Sequence, residues 1–510
     1  MLVDVKPIHK MCGTKAVDVG AALGMVIDAL CEDSVDLSRL RVVCDWVQYK
    51  GNFRQAVDLR PILAPGTDLR SGNGTAPPAE EIELAIDLRR CDNGGDDGGG
   101  NGGVKEAVRS ALGGNEAAGR GEQQGSPARI ELEDWMPTSR SCIWSFNALY
   151  WQALDLWEQS TGRRYEQALP GGESDARNRD AVRELIADML EGFDDLAARN
   201  ALPEELYVVE LGVGNGNQAK VWLDEFAAAD SAHGTEYYRR LQYLMCDYSP
   251  HVLGMARGAV ADHAEHVSSF VLDATVPTTA LGFLRSKVFL AYISNVYDNL
   301  PTEEVARIGG RSYRVEARAC LAQRDVAELA EYASAGEVAV PGLIRKLLRL
   351  GPPLLVEAMP EHFRDVGTAV GFWQRAWQAL TLAERYVPLP GLDTYQVAPG
   401  VGGEVLRPLL ESGNDLRMHV NNGAVASFVD TIGLLHPYGR LLCHDLFVTD
   451  TQQYRTGFRG PGKYDGSVVN WVNGPLLELI GSRKGFDVCY APFAHRTGTN
   501  IITMTARVRD

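Results

Sequence analysis

The chain has 510 residues, 45% of them hydrophobic, which is enough for two or three domains with a sizeable core. Its 50 Lys and Arg residues against 67 Asp and Glu residues give a net charge of −17, which argues against nucleic acid or an anionic membrane as a partner. The nine cysteines include no Cys-x-x-Cys pair, no signal peptide is evident at Met1, and no apolar run approaches the roughly 20 residues of a membrane span. We therefore expect a cytoplasmic protein with reduced thiols.

The first quarter of the chain divides at a glycine-rich segment. Residues 1–91 combine a helical pattern over 17–31 with a strand-like run over 40–47, and they suggest no chemistry. Residues 92–103 contain only Gly, Asp and Asn, so they cannot bury apolar surface, and we predict a flexible linker over 92–127.

Residues 128–200 are predicted to form a helical cap. Trp144, Tyr150, Trp151, Leu154 and Trp157 recur at spacings close to one helix face, which predicts helices packed on a core. An additional interpretation is that these helices cover a cofactor pocket. The loop at 169–175 is either an ordinary turn or part of that pocket.

The rest of the chain alternates strands and helices, which predicts a doubly wound sheet. Strands are expected at 207–210, 241–247, 269–273, 288–293, 439–445, 486–490 and 500–508. We predict an α/β fold with a Rossmann-like seven-stranded sheet and a C-terminal antiparallel hairpin. The core would occupy 201–300 and 424–510, interrupted after strand four by an insertion at 301–423 that is expected to bind the acceptor.

A glycine-rich turn follows the first of these strands. Glu210 precedes Gly212, Gly214 and Gly216, and Asn217 stands where a dinucleotide-binding fingerprint has its third glycine. A carboxylate before the turn would repel a phosphate but suits a cationic ligand. The pattern Glu-x-Gly-x-Gly-x-Gly resembles the first motif of class I S-adenosylmethionine (SAM) methyltransferases, and this resemblance makes a nicotinamide dehydrogenase the weaker interpretation.

The next two predicted strands also end at acidic residues, and the resemblance implies that these residues bind the cofactor. Ligands of open parallel sheets bind outside the carboxyl ends of the strands. Glu210 would hold the methionyl ammonium, Asp247 both ribose hydroxyls and Asp273 the adenine amine. We also expect Tyr248, Ala274 and Ser294 at the cofactor.

The segment after strand four makes the resemblance more specific, because it is similar to one family of methyltransferases. Residues 294–301, Ser-Asn-Val-Tyr-Asp-Asn-Leu-Pro, are similar to the Asn-Glu-x-x-Asp-Ala-Leu-Pro stretch of the MidA-like family, whose members methylate protein arginine. Residues 246–250 and 439–445 are similar to that family's Glu-x-Ser-Pro and Gly-x-x-Leu-Leu-Ile-Asp stretches. The match covers roughly 205–300 and 415–490.

The chain departs from this family where a guanidinium would bind. Ser294 and Asn295 replace the Asn-Glu pair, so the carboxylate that would face an arginine is missing, although Asp298 keeps the second acidic position. Methyl transfer from a sulfonium needs mainly in-line positioning, and a base only if the acceptor loses a proton. The candidate catalytic residues are Asp298, Asn295 and Asp445, with His444 as a further possible base or a buried structural histidine.

Other conspicuous residues are expected to be structural. His263 and His266 lack a third metal ligand, so we predict surface residues rather than a metal site. Arg307, Arg311, Arg314 and Arg318 are expected as solvated charges on an inserted helix and strand. Trp373 and Trp377, one helical turn apart, would pack in a core or cover an acceptor.

Taken together, the sequence predicts a SAM-dependent methyltransferase that transfers a methyl group to nitrogen or oxygen. The acceptor is a protein side chain or a small molecule, and the oligomeric state is left open. The alternative is a SAM-binding assembly or interaction protein without catalysis.

Overall fold

We describe the fold from a computed structural model. The structure describes residues 129–162, 178–308, 310–357, 361–412, 416–455, 461–495 and 500–509, and the backbone of four strands before residue 87. The helix predicted at 17–31, the linker predicted at 92–127 and the loop at 169–175 lie outside these residues. No helix within the described ranges is long and apolar enough to cross a membrane.

A seven-stranded mixed sheet forms the centre of the chain. Its strands, numbered here in chain order, are β1 Leu206–Leu211, β2 Leu241–Asp247, β3 Val267–Val271, β4 Val288–Ser294, β5 Leu435–Asp445, β6 Phe486–Pro492 and β7 Ile502–Val508. The spatial order is β6-β7-β5-β4-β1-β2-β3. Strand β1 pairs in parallel with both β2 and β4, so the chain reverses its winding direction at β1. Strand β7 runs antiparallel to β5 and β6, as the predicted C-terminal hairpin requires.

The sequence of the central strands explains their position. Every residue of β4 except its last is buried, as is usual for a parallel strand covered on both faces. Strand β3 lies at the sheet edge and is only partly buried. It ends two residues earlier than predicted because Asp273 accepts hydrogen bonds from the Thr275 amide and hydroxyl, and this local turn ends the strand.

Helices cover the sheet and build the rest of the chain. They span Cys142–Gln152, Leu154–Thr161, Arg179–Ala198, Asn217–His233, Pro250–Ala259, Thr278–Leu281, Gln323–Tyr332, Val340–Leu350, Pro352–Val356, Val366–Ala379, Arg407–Leu410, Asn422–Ile432 and Gly474–Arg483. Asn217–His233 follows the glycine-rich turn directly. It packs against Arg179–Ala198 on one side of the sheet, where Trp222 and Phe226 stack in the core.

The insertion after β4 builds a second sheet. Its strands are Glu303–Ile308, Arg311–Ala322, Thr381–Pro388 and Leu416–Val420, joined by Arg129–Glu131 and Met136–Pro137. Where an inserted helix and strand were predicted for the four arginines, the structure has two antiparallel strands. Arg318 pairs with Glu131 at 2.5 Å and lies over the Trp135 ring, so it holds the second sheet together rather than only facing solvent.

The residues predicted as one helical cap belong to two different packing units. Cys142–Gln152 and Leu154–Thr161 contribute to the hydrophobic core of the insertion, which also contains the fully buried Trp373 and Trp377. Arg179–Ala198 contributes instead to the core beside β1. The two tryptophans therefore pack in a core and do not cover a ligand site.

The remaining strands are short. They are Gln396–Ala398, Val401–Gly402, Phe447–Val448, Gly462–Tyr464, Ser467–Val469 and Val472–Asn473, and, before residue 87, Leu40–Cys44, Gly51–Asn52, Val57–Ile62 and Glu81–Ile86. Three of the N-terminal strands form their own sheet, and Gly51–Asn52 pairs with Gly462–Tyr464.

Candidate functional site

The turn between β1 and its helix has a backbone conformation that favours glycine. Gly212, Gly214 and Gly216 have φ values of +76°, +58° and +79°, in the left-handed region that side chains disfavour. A Cβ on Gly216 would lie 2.6 Å from the Cα of Ala256 in Pro250–Ala259. Gly216 therefore allows Asn217–His233, the helix that follows the turn, to approach Pro250–Ala259 closely.

A cavity of about 350 Å³ opens at the carboxyl ends of β1, β2 and β4. Nine of the twelve predicted site residues line it: Glu210, Gly212, Gly214, Asp247, Tyr248, Asp273, Ala274, Ser294 and Asn295. The other three, Gly216, Asp298 and Asp445, do not. The cavity lies where β1 separates the two winding directions, which is the usual ligand position in open α/β sheets.

Glu210 is a buried carboxyl group at the end of β1. It is 2% exposed, and the Tyr243 hydroxyl donates a hydrogen bond of 2.7 Å to its Oε2. The pKa of Glu210 is raised to about 8, mainly by burial and also by the nearby charge of Asp247, while the Tyr243 hydrogen bond opposes the shift. A cation in the cavity would reverse this effect by favouring the ionised carboxylate.

Asp247 joins the glycine-rich turn to the end of β2. Its carboxylate accepts hydrogen bonds from the amides of Gly214 at 3.3 Å and Ser249 at 2.9 Å. Burial raises the pKa of Asp247 to about 6, although these amides oppose the shift. The Gly214 amide is thus already directed at a carboxylate, whereas a phosphate-binding turn offers its amides to the ligand.

The third acid and the neighbouring tyrosine lie at the open side of the cavity. Asp273 is exposed and accepts the two hydrogen bonds from Thr275 described above. Tyr248 is 38% exposed, and its hydroxyl accepts a hydrogen bond of 2.7 Å from Gln152, at the end of Cys142–Gln152. This helix therefore covers the β2 side of the cavity.

The charges around the cavity all have one sign. Three carboxyl groups line it, and its lining among the described residues includes no Lys, Arg or His. Gln218, the second residue of the helix after the turn, is 7% exposed, and its Oε1 has no hydrogen-bond partner in the described part of the chain. Three acids in the lining suit a ligand that carries positive charge and several donors.

Asp298 and Asp445, both predicted as catalytic, lie behind the cavity wall. They are 5% and 0% exposed. Asp445 accepts hydrogen bonds from the amides of Tyr297, Asp298 and Leu446, so it holds the turn after β4 against the end of β5. Burial together with the charge of Asp445 raises the pKa of Asp298 well above its ordinary value. The structure therefore gives this pair a structural position.

We expect Asp445→Ala to lower the free energy of unfolding by about 3 kcal/mol or more, because it leaves three buried amides without an acceptor. Asp298→Asn should cost less, because the amide keeps the size of a carboxyl group whose ionised form is disfavoured by burial and by the charge of Asp445. Chemical denaturation at pH 7 measures both values. A fully stable Asp445→Ala protein that has lost only methyl transfer would restore the catalytic role.

The prediction for His444 is confirmed, and the prediction for His263 is wrong. His444 is buried, and its Nδ1 lies 3.0 Å from the Thr503 hydroxyl, which confirms a structural histidine. His263 was predicted at the surface, but it is 8% exposed and bridges Asp224 and Tyr238. In the ranges that the structure describes, no group of three His, Cys, Asp or Glu side chains could hold a metal ion.

The sequence left open that the helices containing Trp144 and Trp151 cover a cofactor pocket, and both residues line the cavity; Asn147, Ala148, Gln218 and Asn299 were missed. Trp144, Asn147, Ala148 and Trp151 occupy one face of Cys142–Gln152 at the spacing i, i+3, i+4, i+7 and present that face to the cavity. The same spacing is typical of a helix packed on a core, so it does not distinguish a core from a ligand site. Gln218 gave no signal because single amides occur at most surfaces, and Asn299 stood in the stretch at 294–301 without being assigned a role.

No protein-family model matches the chain, and no curated protein matches it significantly. Among solved structures, it is similar to a Burkholderia thailandensis protein bound to S-adenosyl-homocysteine and described as a candidate methyltransferase, at 14% identity and a TM-score of 0.43, covering 79% of this chain and 92% of that one. It is also similar to the CcbJ methyltransferase of Streptomyces caelestis, at 11% identity and a TM-score of 0.31, covering 72% and 99%. For the glycopeptide N-methyltransferase MtfA complexed with SAM, the identity is 11%, the TM-score 0.26 and the coverage 62% and 92%.

Proposed function

We propose that this chain is a SAM-dependent methyltransferase. The observation that carries the proposal is the cavity lining, in which three carboxyl groups and, among the described residues, no basic side chain surround a glycine-rich turn. A dinucleotide brings a negatively charged pyrophosphate, which this lining would repel. SAM brings an ammonium, a sulfonium and a ribose, and each of these is favoured by acidic neighbours.

Each part of the cofactor has a candidate partner. Glu210 would receive the methionyl ammonium. Asp247 would accept from the ribose hydroxyls, and Asp273 from the adenine amine beside Ala274. The sheet order supports the same proposal, because the winding direction reverses at β1 and β7 runs antiparallel between β5 and β6. This is the arrangement expected of a Rossmann-like class I methyltransferase core.

The proposed reaction asks the chain mainly for positioning. Bound SAM would supply an electrophilic methyl group on a sulfonium. The chain would hold the cofactor by its carboxylates, keep water out with Cys142–Gln152, and orient the acceptor with the turn after β4. Such positioning can contribute as much as about 7–11 kcal/mol to a reaction of this kind.

A second candidate function is SAM binding without catalysis. The observation that favours it is the position of Asp298. A base that takes a proton from the methyl acceptor would have to reach the cavity, but Asp298 lies behind the cavity wall. If the acceptor needs no base, this observation does not oppose catalysis.

Incubation of the purified chain with methyl-labelled SAM and a fractionated lysate tests the transferase directly. We expect label to enter a protein or a small-molecule fraction, and an Asp247→Ala control to transfer none. Binding of SAM with no transfer to any fraction would contradict the transferase and favour the non-catalytic alternative.

A further inference from the structure

Strand β3 forms one edge of the central sheet, and among the described residues it pairs with β2 alone. Directly after the strand, Leu272 donates its amide to the Asp247 carbonyl of β2 at 3.1 Å. Backbone groups point alternately to the two sides of a strand, so Val267, Ser269 and Val271 direct their amides and carbonyls away from β2. Three donors and three acceptors therefore face outward without a partner in the described part of the chain.

The β3 edge lacks the features that usually prevent strands from pairing between molecules. Residues 267–272 read Val-Ser-Ser-Phe-Val-Leu, with no charge and no proline, although the whole chain carries a net charge of −17. Edge strands of soluble proteins are normally protected by charged side chains, by proline or by a bulge. The register between β3 and β2 has no shift. The outer side of β3 is therefore suited to pairing with a further strand.

Exposed apolar side chains accompany this edge. Val271 is 57% exposed, and Val276 and Phe283, in the connection to β4, are 43% and 54% exposed. The Phe283 ring lies 6.4 Å from the ring of Phe270, which is itself only partly buried. Grouped apolar side chains at a surface are typical of interaction sites, whereas single ones are normal. The edge thus offers apolar surface as well as backbone groups.

The residues of β3 match those of a second copy of the same strand. With a two-fold axis at Ser269, an antiparallel pair would place Ser269 opposite its own copy and Val267 opposite Val271 at both ends. These are the residues with outward backbone groups, so each such pair would exchange two hydrogen bonds. Ser268 would lie opposite Phe270, where the small side chain leaves room for the ring.

We propose that the chain forms a two-fold symmetric dimer in which β3 pairs antiparallel with β3 of a second copy. The two central sheets join into one continuous sheet. The pairing is limited to five residues, because the chain turns away on one side at Ala261–His266 and on the other at Asp273. We expect a dissociation constant on the order of 10 µM, since such strands bury less than the roughly 1,600 Å² of a standard interface.

Sedimentation velocity and hydrogen exchange of the full chain, at about 1 µM and 100 µM, test the dimer. We expect mainly monomer at the lower concentration and mainly dimer at the higher one. The amides of Val267, Ser269 and Val271 should then exchange about fivefold more slowly at the higher concentration. A monomer at both concentrations, or a dimer in which this exchange does not change, would overturn the proposal. Slow exchange in the monomer would also overturn it, because another segment of the same chain would then cover the edge.

Two substitutions of exposed valines by lysine locate the interface. Val271→Lys places a charge at both ends of the strand pair, so it should weaken the dimer at least about tenfold. Val338→Lys is the matched control, because Val338 is 97% exposed and lies in the insertion, outside the central sheet. It should leave the dimer unchanged. Thermal unfolding at about 1 µM should give both variants the wild-type midpoint. A Val271→Lys protein that dimerises as wild type does contradicts the proposal.

The dimer does not depend on the proposed methyltransferase function. Failure of the chain to bind SAM in calorimetry would contradict that function and leave the dimer unaffected. A monomeric chain that binds SAM would contradict only the dimer.

Discussion

Glu210→Gln should make the empty protein more stable and at the same time remove most of its affinity for SAM. Glu210 has a pKa of about 8 in the folded chain and an ordinary value of 4.5. The folded state therefore keeps a proton that the unfolded state has lost, and wild-type stability falls as the pH rises between these values. Glutamine removes that cost, so we expect a gain on the order of 3 kcal/mol at pH 8 and almost none below pH 4.

The same substitution should lower the affinity for SAM, because the ionised carboxylate that destabilises the folded chain is the form that binds the ammonium. An ammonium next to Glu210 binds the ionised form, so SAM binding at pH 7 should release a proton from the protein. Between about pH 7.5 and 6, affinity should fall by up to about tenfold per pH unit. The glutamine variant should bind at least about 100-fold more weakly, because it lacks the buried charge pair.

Denaturation curves at pH 4 and pH 8, with calorimetry in two buffers of different ionisation enthalpy, measure these effects. Asp273→Asn is the matched control, because Asp273 is exposed and its substitution should leave stability unchanged while weakening SAM binding only moderately. A Glu210→Gln protein that is less stable at pH 8, or that binds SAM as wild type does, contradicts our account of this carboxyl group.

Gly216→Ala should be among the most destabilising single substitutions in the described chain. The residue has φ of +79°, and a Cβ there would lie 2.6 Å from the Cα of Ala256, a backbone atom that cannot move aside alone. The left-handed conformation costs about 1–2 kcal/mol and the overlap a further 1–3 kcal/mol. We expect the free energy of unfolding to fall by about 3 kcal/mol or more. The cavity that the turn borders should lose its shape at the same time.

Gly254→Ala provides the control on the facing helix. Gly254 lies inside Pro250–Ala259, and a Cβ there meets no atom within 4 Å. Alanine should therefore raise stability by up to about 1 kcal/mol through its better helix propensity. Thermal unfolding of both variants decides the comparison. Equal midpoint temperatures of unfolding for the two variants would contradict a tight contact between Gly216 and Ala256.

The strand pattern and the position of the cavity could be predicted because they depend on local chemistry. Hydrophobic runs specify strands buried on both faces, and acids at their ends meet at one edge of a parallel sheet. Glu210 and Asp247 therefore reach the same cavity although 37 residues separate them. The three glycines could be recognised as a turn, but only the structure separates Gly214, at the cavity, from Gly216, at a helix contact.

The placement of Asp298 and Asp445 could not be predicted from the sequence. Asp445 ends β5 as Asp247 ends β2, but its carboxylate accepts from the amides of the turn after β4, and Asp298 lies within that turn. The direction of a side chain after a strand depends on the turn that follows, and a motif does not encode it. The resemblance assigned these acids by position alone.

The packing of Cys142–Gln152 on the insertion could not be predicted for a different reason. Asn147 lies 152 residues from Asn299, and their hydrogen bond depends on how a helix before β1 packs on a sheet that is inserted after β4. Periodicity reports that a helix has an apolar face but not which element covers it. The same limit explains why Trp373 could be read as core or as a ligand cover.

Isothermal titration of the full chain with SAM and with NAD tests the central claim most directly. We predict SAM binding that releases a proton near pH 7 and no measurable binding of NAD. Binding of NAD in preference to SAM, or undiminished SAM binding in an Asp247→Ala variant, would contradict the assignment of this acidic cavity to SAM.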